Sequence, residues 1–288
     1  MIVVEREQKN LNAGKKMTTI TGSGLWRLWL TFLGLTLLGV TFLQPVYAAG
    51  LVTTIETVRP SVVGVGSYLP LRSPRAMLFG TGFVVADGRH VVTNAHVVSR
   101  DMDTLRNESL VVFIGRGANP DLRKVEIVQT DPEHDLVLLR MEGPALPSLK
   151  IGESSRVREG DSIAFTGYPI GAVLGLYPVT HRGIVSAITP IVTPMDRSGQ
   201  LTAKLVQRLR SGYDVFQLDA TAYPGNSGSP LYSPTTGDVL GVVNMVLVKE
   251  SKETVLEKPS GIAYAIPAKF VAKLIEAAGI ESRVPEQE

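Results

Sequence analysis

The chain has 288 residues, no cysteine, 28 glycines and 18 prolines. An apolar share of 44% with 19% charged residues fits a globular protein and excludes a disordered or low-complexity one. The absence of cysteine excludes disulfides and thiolate metal sites, and a formal charge of only +2 with no basic stripe gives no support to nucleic-acid binding.

The uncharged run Leu28–Leu43 follows Arg27 and leads to Val46-Tyr47-Ala48-Ala49, a small-residue cleavage pattern. As a helix this run would measure about 24 Å, short of the roughly 30 Å hydrocarbon core. It reads as a secretory leader over residues 1–48, removed on export. Left uncleaved, residues 28–48 would hold the protein to a membrane, the inner membrane in a periplasmic setting. Initiation at Met17 would shorten the leader. Its removal takes five of the 29 basic and two of the 27 acidic residues, leaving 24 against 25. The excess positive charge is therefore mostly in the leader.

From residue 49 a short helix is expected over 51–58, before Pro60. Short β-rich runs then follow: Ser61–Tyr68, Phe83–Ala86, His90–Thr93, Leu110–Ile114, Lys124–Thr130 and Leu136–Met141. A second series comprises Ser162–Thr166, His181–Ile188, Val215–Ala220, Pro230–Tyr232, Val239–Val248 and Gly261–Ile266. Valine, isoleucine and threonine dominate these runs, and Asp87-Gly88, Asp131-Pro132 and Thr236-Gly237-Asp238 punctuate them. Two groups of six predict an all-β protein of two packed barrels, one over about 61–141 and one over about 153–267. The segment Glu142–Gly152, with Pro144 and Pro147, is the expected connector. Helical spacing predicts one helix at Leu201–Leu209, inside a long excursion Pro190–Gly212, and a last helix over 268–279. Its apolar face is Phe270, Val271, Leu274, Ile275 and Ala278, and Gly279 ends it.

Tyr223-Pro224-Gly225-Asn226-Ser227-Gly228-Ser229-Pro230 places a serine between glycines. The bland reading is a turn between strands. The chemical reading is a bend that presents the Ser227 hydroxyl while the Gly225 and Ser227 amides point into one small space, suited to an oxyanion. His96 follows a valine-rich strand, where it could be a packed or capping residue. Asp135 opens the apolar run Leu136–Leu139, where it could be a turn residue. Together the three types suffice for nucleophilic catalysis. Imidazole takes the proton of a weakly nucleophilic hydroxyl, and a carboxylate fixes the imidazole tautomer. Their chain order is His, Asp, Ser, not the Ser, Asp, His of α/β-hydrolases.

Gly80-Thr81-Gly82-Phe83-Val84-Val85, Thr93-Asn94-Ala95-His96-Val97-Val98, Asp135-Leu136-Val137-Leu138-Leu139 and Gly225-Asn226-Ser227-Gly228 resemble the motifs of trypsin-like serine proteases of the HtrA/Deg type. Ile151–Ser154, Val157–Asp161, Gly167–Gly171, Gly183–Ser186 and Gly261–Pro267 extend the resemblance, in order, over about Ser61 to Pro267. It implies a chymotrypsin-like double six-stranded β-barrel with a C-terminal helix. The implied activity is an exported serine endopeptidase acting on unfolded or damaged envelope proteins. In the implied roles His96 is the base, Asp135 its orienter and Ser227 the nucleophile, with Gly225 and Ser227 as the oxyanion hole. No cofactor or metal is implied. Polypeptides are the expected partners, and the family suggests a homotrimer.

The layout of the fold would place Thr221 and Ala222 in the primary specificity pocket, which argues against Lys/Arg selectivity and for small or medium apolar side chains. Their bland role is barrel packing. Departures from the family pattern are Ser229 in place of the usual glycine, the long Pro190–Gly212 excursion, and only about twenty residues after Pro267, so that a following PDZ domain is not expected. His90, His134 and His181 are expected to be non-catalytic, with His134 exposed and His181 at a surface strand end, an approach to the pocket rim being the alternative. The alternative function is an inactive, protease-fold binding module.

Overall fold

A computed structural model of the chain describes residues 50–117, 119–169, 176–191, 212–244 and 262–281. The expected leader over 1–48, the helix over 201–209, most of the excursion over 190–212, residues 245–248, Ile170-Gly171 and Gly261 lie outside the described residues.

Helix α1 (Leu51–Val58) precedes twelve strands among the described residues. β1 (Val62–Tyr68), β2 (Ala76–Val85), β3 (His90–Asn94), β4 (Ser109–Ile114), β5 (Asp121–Asp131) and β6 (Leu136–Met141) form one closed barrel, ordered β1-β2-β3-β6-β5-β4. β7 (Ser162–Gly167), β8 (Val179–Pro190), β9 (Asp214–Asp219), β10 (Pro230–Tyr232), β11 (Val239–Asn244) and β12 (Ile262–Pro267) form a second, ordered β10-β11-β12-β9-β8-β7. The pairings around both barrels are antiparallel, so neither presents an open edge. The expected double six-stranded barrel is the fold observed.

One expectation is corrected in detail. β2 starts at Ala76, well before Phe83, because Ala76–Gly80 pair with β1 across a register shift at Val65/Gly66. That opening half alternates poorly in hydrophobicity, so its pattern does not announce a strand.

The two barrel interiors are Val-rich. A third cluster fills the seam between them, where Phe83, Leu136 and Leu138 of the first barrel meet Tyr168, Tyr232 and Ile266 of the second. Tyr168 crosses the seam: its hydroxyl donates to the carbonyls of Val62 (3.3 Å) and Gly115 (3.1 Å). Burial pushes its phenol up to about 12, so it stays a neutral donor.

Helix α2 (Ala95–Val98) is a single turn after β3, and α3 (Lys269–Ala277) is the expected last helix. α3 buries Phe270, Val271, Leu274 and Ile275, each contributing about 1.5–3 kcal/mol of transfer free energy. It ends at Gly279, whose φ of +68° allows Gly279 N to donate to Glu276 O (2.9 Å) and Ile280 N to Ile275 O (3.3 Å). These bonds satisfy carbonyls that the last turn would otherwise leave open. Among the described residues no helix is long and apolar enough to cross a membrane.

Candidate active site

Asp135 stands between β5 and β6 with a φ of +52°, a left-handed conformation that aspartate tolerates better than most residues. Five hydrogen bonds hold it there. Its carbonyl accepts from Ala95 N (3.0 Å) and Asn94 Nδ2 (3.1 Å). Its Oδ1 accepts from His96 N (2.9 Å). Its Oδ2 meets His96 Nδ1 at 2.6 Å and accepts from Asn244 Nδ2 at 2.7 Å. A carboxylate fixed at this distance favours the tautomer with the proton on Nδ1 and leaves Nε2 as the basic nitrogen.

His96 lies in α2, immediately after β3. β3 pairs with β6 in register, Asn94 opposite Leu136, so the ends of the two strands bring His96 and Asp135 together. The sequence places them 39 residues apart; the pairing joins them.

Ser227 comes from the second barrel and is 6% exposed. Its carbonyl accepts from Thr81 N (2.9 Å), and Thr81 Oγ1 donates to Gly225 O (2.7 Å) while accepting from Tyr168 N (2.9 Å). Thr81 thus pins the serine loop to β2 of the first barrel. Gly80 explains how closely the parts approach: a side chain there would meet both Val97 and the Ser227 carbonyl at about 3 Å. The turn bearing His96 and the loop bearing Ser227 press on the same glycine.

The loop geometry follows its glycines. Gly225 has φ +103° and Gly228 φ +87°. Asn226 N donates to Tyr223 O (2.9 Å) and Ser229 N to Asn226 O (3.0 Å), two successive tight turns. At Gly228 any Cβ would strike Thr81 O and Thr93 Oγ1, so only glycine fits beneath the serine. Ser229 is fully buried, and its hydroxyl points towards the bare face of Gly167. That open face accommodates the serine where the family pattern has glycine.

Thr221 is half-buried, whereas Ala222 is 3% exposed and packs in the second barrel with Ala220, Leu231 and Val243. Of the other histidines, His134 and His181 differ from expectation. His134 is not exposed: its side chain is 14% accessible, bonds Asp131 through Nδ1 (2.6 Å) and stacks on Phe270 with centroids 3.7 Å apart. His90 is 7% exposed and bonds Asp87 (2.7 Å). His181 is half-buried, on the face of β8 that lies opposite Phe165, on which its ring stacks. Phe270 is distant in sequence, and the inward direction of His181 depends on strand register, so neither contact is legible locally. Two site residues were also missed. Asn244 is a lone polar residue ending an apolar strand, a legible signal; Thr81 lies in the run Gly80–Val85, whose pattern gives it no role. Among the described residues no cluster of three or more His, Cys, Asp or Glu side chains gathers that could ligate a metal.

A family model described as a trypsin-like peptidase domain matches residues 80–242. A probable periplasmic serine endoprotease, DegP-like, of Pseudomonas putida (strain W619) is 30% identical over 202 residues, 68% of this chain and 35% of that protein. The serine protease HTRA1A of Danio rerio is 28% identical over 225 residues, 77% of this chain and 40% of that protein. The chain therefore aligns with well under half the length of these curated relatives. Among solved structures, the HtrA-type protease AlgW with decapeptide superposes with a TM-score of 0.57 at 22% identity, over 79% of this chain and 67% of that one, a likeness of fold. The match of the family model over more than half of the chain, with the two closed six-stranded barrels, makes this chain a member of the trypsin-like peptidase family, of the HtrA type.

Proposed function

We propose that the protein is an exported serine endopeptidase. The observation that carries this reading is the 2.6 Å contact between His96 Nδ1 and Asp135 Oδ2, made at the seam where Thr81 holds the Ser227 loop. His96 Nε2 takes the Ser227 proton as the oxygen attacks a peptide carbonyl. The amides of Gly225 and Ser227 receive the developing oxyanion. The imidazolium then protonates the departing amine, leaving an acyl-enzyme. Water, deprotonated by His96, attacks the ester and restores Ser227. The Asp135 carboxylate offsets the transient positive charge on the ring.

The names of the bacterial relatives support a periplasmic setting with polypeptide substrates, among them unfolded or damaged envelope proteins. A fluorophosphonate probe tests the chemistry. Wild type is expected to be labelled and Ser227→Ala not; a folded wild type that resists labelling would leave a binding module as the function. Intact-mass measurement of the exported protein reads whether residues 1–48 are removed.

A further inference from the structure

His181 takes no part in the chemistry above. It lies in β8 directly opposite Phe165 of β7. Opposed residues of an antiparallel pair share one face of the sheet. Phe165 is wholly buried in the second barrel, so His181 also points inward. Its ring stacks on Phe165, with centroids 4.9 Å apart and planes 22° from parallel. Tyr223 leans against the same ring, at 6.0 Å and 44°.

Tyr223 belongs to the segment that leads through Thr221 and Ala222 to Ser227. The imidazole therefore lies beside that segment. Its Nε2 is enclosed and has no hydrogen-bond partner. Burial pushes the imidazole pKa down, so the ring is neutral at neutral pH. A ring that only filled space would do so at less cost as phenylalanine, because a buried polar atom without a partner is destabilising. An unpaired polar atom beside the segment that leads to Ser227 is suited to a substrate group that pairs with it.

We propose that His181 determines specificity: its Nε2 is the polar group at the base of the primary specificity pocket and selects a substrate side chain, before the scissile bond, that ends in a carboxamide or carboxylate oxygen. The inference rests on the serine-peptidase reading of Ser227 and on Thr221 and Ala222 as pocket walls. It replaces the apolar preference expected from those two residues alone.

The test uses peptides identical except for Gln, Glu, Leu or Val before the scissile bond, cleaved by wild type, His181→Phe and His181→Gln. The rate of fluorophosphonate labelling is measured in parallel, since it reads Ser227 and His96 without the pocket contact. Wild type is expected to favour Gln or Glu over Leu and Val by about tenfold or more in kcat/KM, because a site built to pair with a polar group discriminates against its apolar analogue. The Gln and Glu arms separate carboxamide from carboxylate. His181→Phe is expected to abolish the preference while labelling is retained, and His181→Gln to keep part of it. A wild-type preference for Leu or Val overturns the proposal, as does a preference that survives in labelled His181→Phe. Should His181→Phe not fold, the wild-type ratio and His181→Gln decide: a preference left undiminished in a folded, labelled His181→Gln counts against the proposal. Normal labelling with an aliphatic preference sinks this inference alone; a folded wild type that is never labelled sinks the peptidase reading with it.

Discussion

Asn244, the last residue of β11 in the second barrel, donates a 2.7 Å hydrogen bond to Oδ2 of Asp135 in the first. The carboxylate that orients His96 is thus held from both barrels, and its position depends on how the two are docked. A hydrogen bond to a charged group is worth about 1.5–3 kcal/mol. Asn244→Ala is expected to slow fluorophosphonate labelling by roughly ten- to a hundredfold with little change in KM, as for an interaction that acts through catalytic geometry. Asn244→Asp, which sets a second carboxylate against the first, should be slower still. Labelling within about twofold of wild type in Asn244→Ala would contradict this role.

Thr81 bridges the barrels through its hydroxyl, which donates to Gly225 O and accepts from Tyr168 N. Thr81→Val keeps the shape and removes both bonds, each worth about 0.5–1.5 kcal/mol. A fall in melting temperature accompanied by slower labelling is expected, because the loop carrying the oxyanion donors loses an anchor. Unchanged labelling in a destabilised protein would mean that Thr81 serves stability only.

Gly228 and Gly160 provide a matched pair. Both have positive φ, +87° and +90°. A Cβ at Gly160 meets nothing within 4 Å, whereas one at Gly228 strikes Thr81 O and Thr93 Oγ1. Gly160→Ala should cost only the conformational strain of about 1–2 kcal/mol. Gly228→Ala should add an overpacking cost of about 1–3 kcal/mol and displace the serine. Chemical denaturation of the two variants measures the difference; equal losses would refute the close packing.

His181 makes stability depend on pH in a known direction. Burial lowers its folded pKa below the ordinary 6.5. Below that value the unfolded chain binds a proton that the folded chain resists, so stability contributed by the neutral ring is present above pH 6.5 and lost as pH falls towards the folded pKa. The groups packed on it are the rings of Phe165 and Tyr223. The melting temperature of wild type should therefore drop more steeply on acidification than that of His181→Phe. Parallel curves would show that His181 titrates as it does in water.

The course of most strands was written locally. Valine-rich runs and Gly, Pro and Asp punctuation gave the second barrel almost residue by residue, and α3 announced itself by Phe270, Val271, Leu274 and Ile275. β2 was cut short because Ala76–Gly80 are a strand only by virtue of pairing with β1. The burial of His134 is not legible locally for a similar reason: the ring stacked on it, Phe270, arrives from the far end of the chain.

What the sequence determined by itself was the set of chemical groups and the β pattern that carries them, since alternation, turn residues and the glycines around Ser227 act over a few positions. What only the tertiary structure decided was which groups meet. The Asn244–Asp135 bond requires two barrels to dock, and the inward turn of His181 requires one register of β7 against β8, since a slip of a single residue would send that ring to the opposite face. Contacts of that kind are set by the packing of distant apolar surfaces at the seam, where Phe83 and Leu136 meet Tyr168 and Ile266, and no short stretch of chain encodes them.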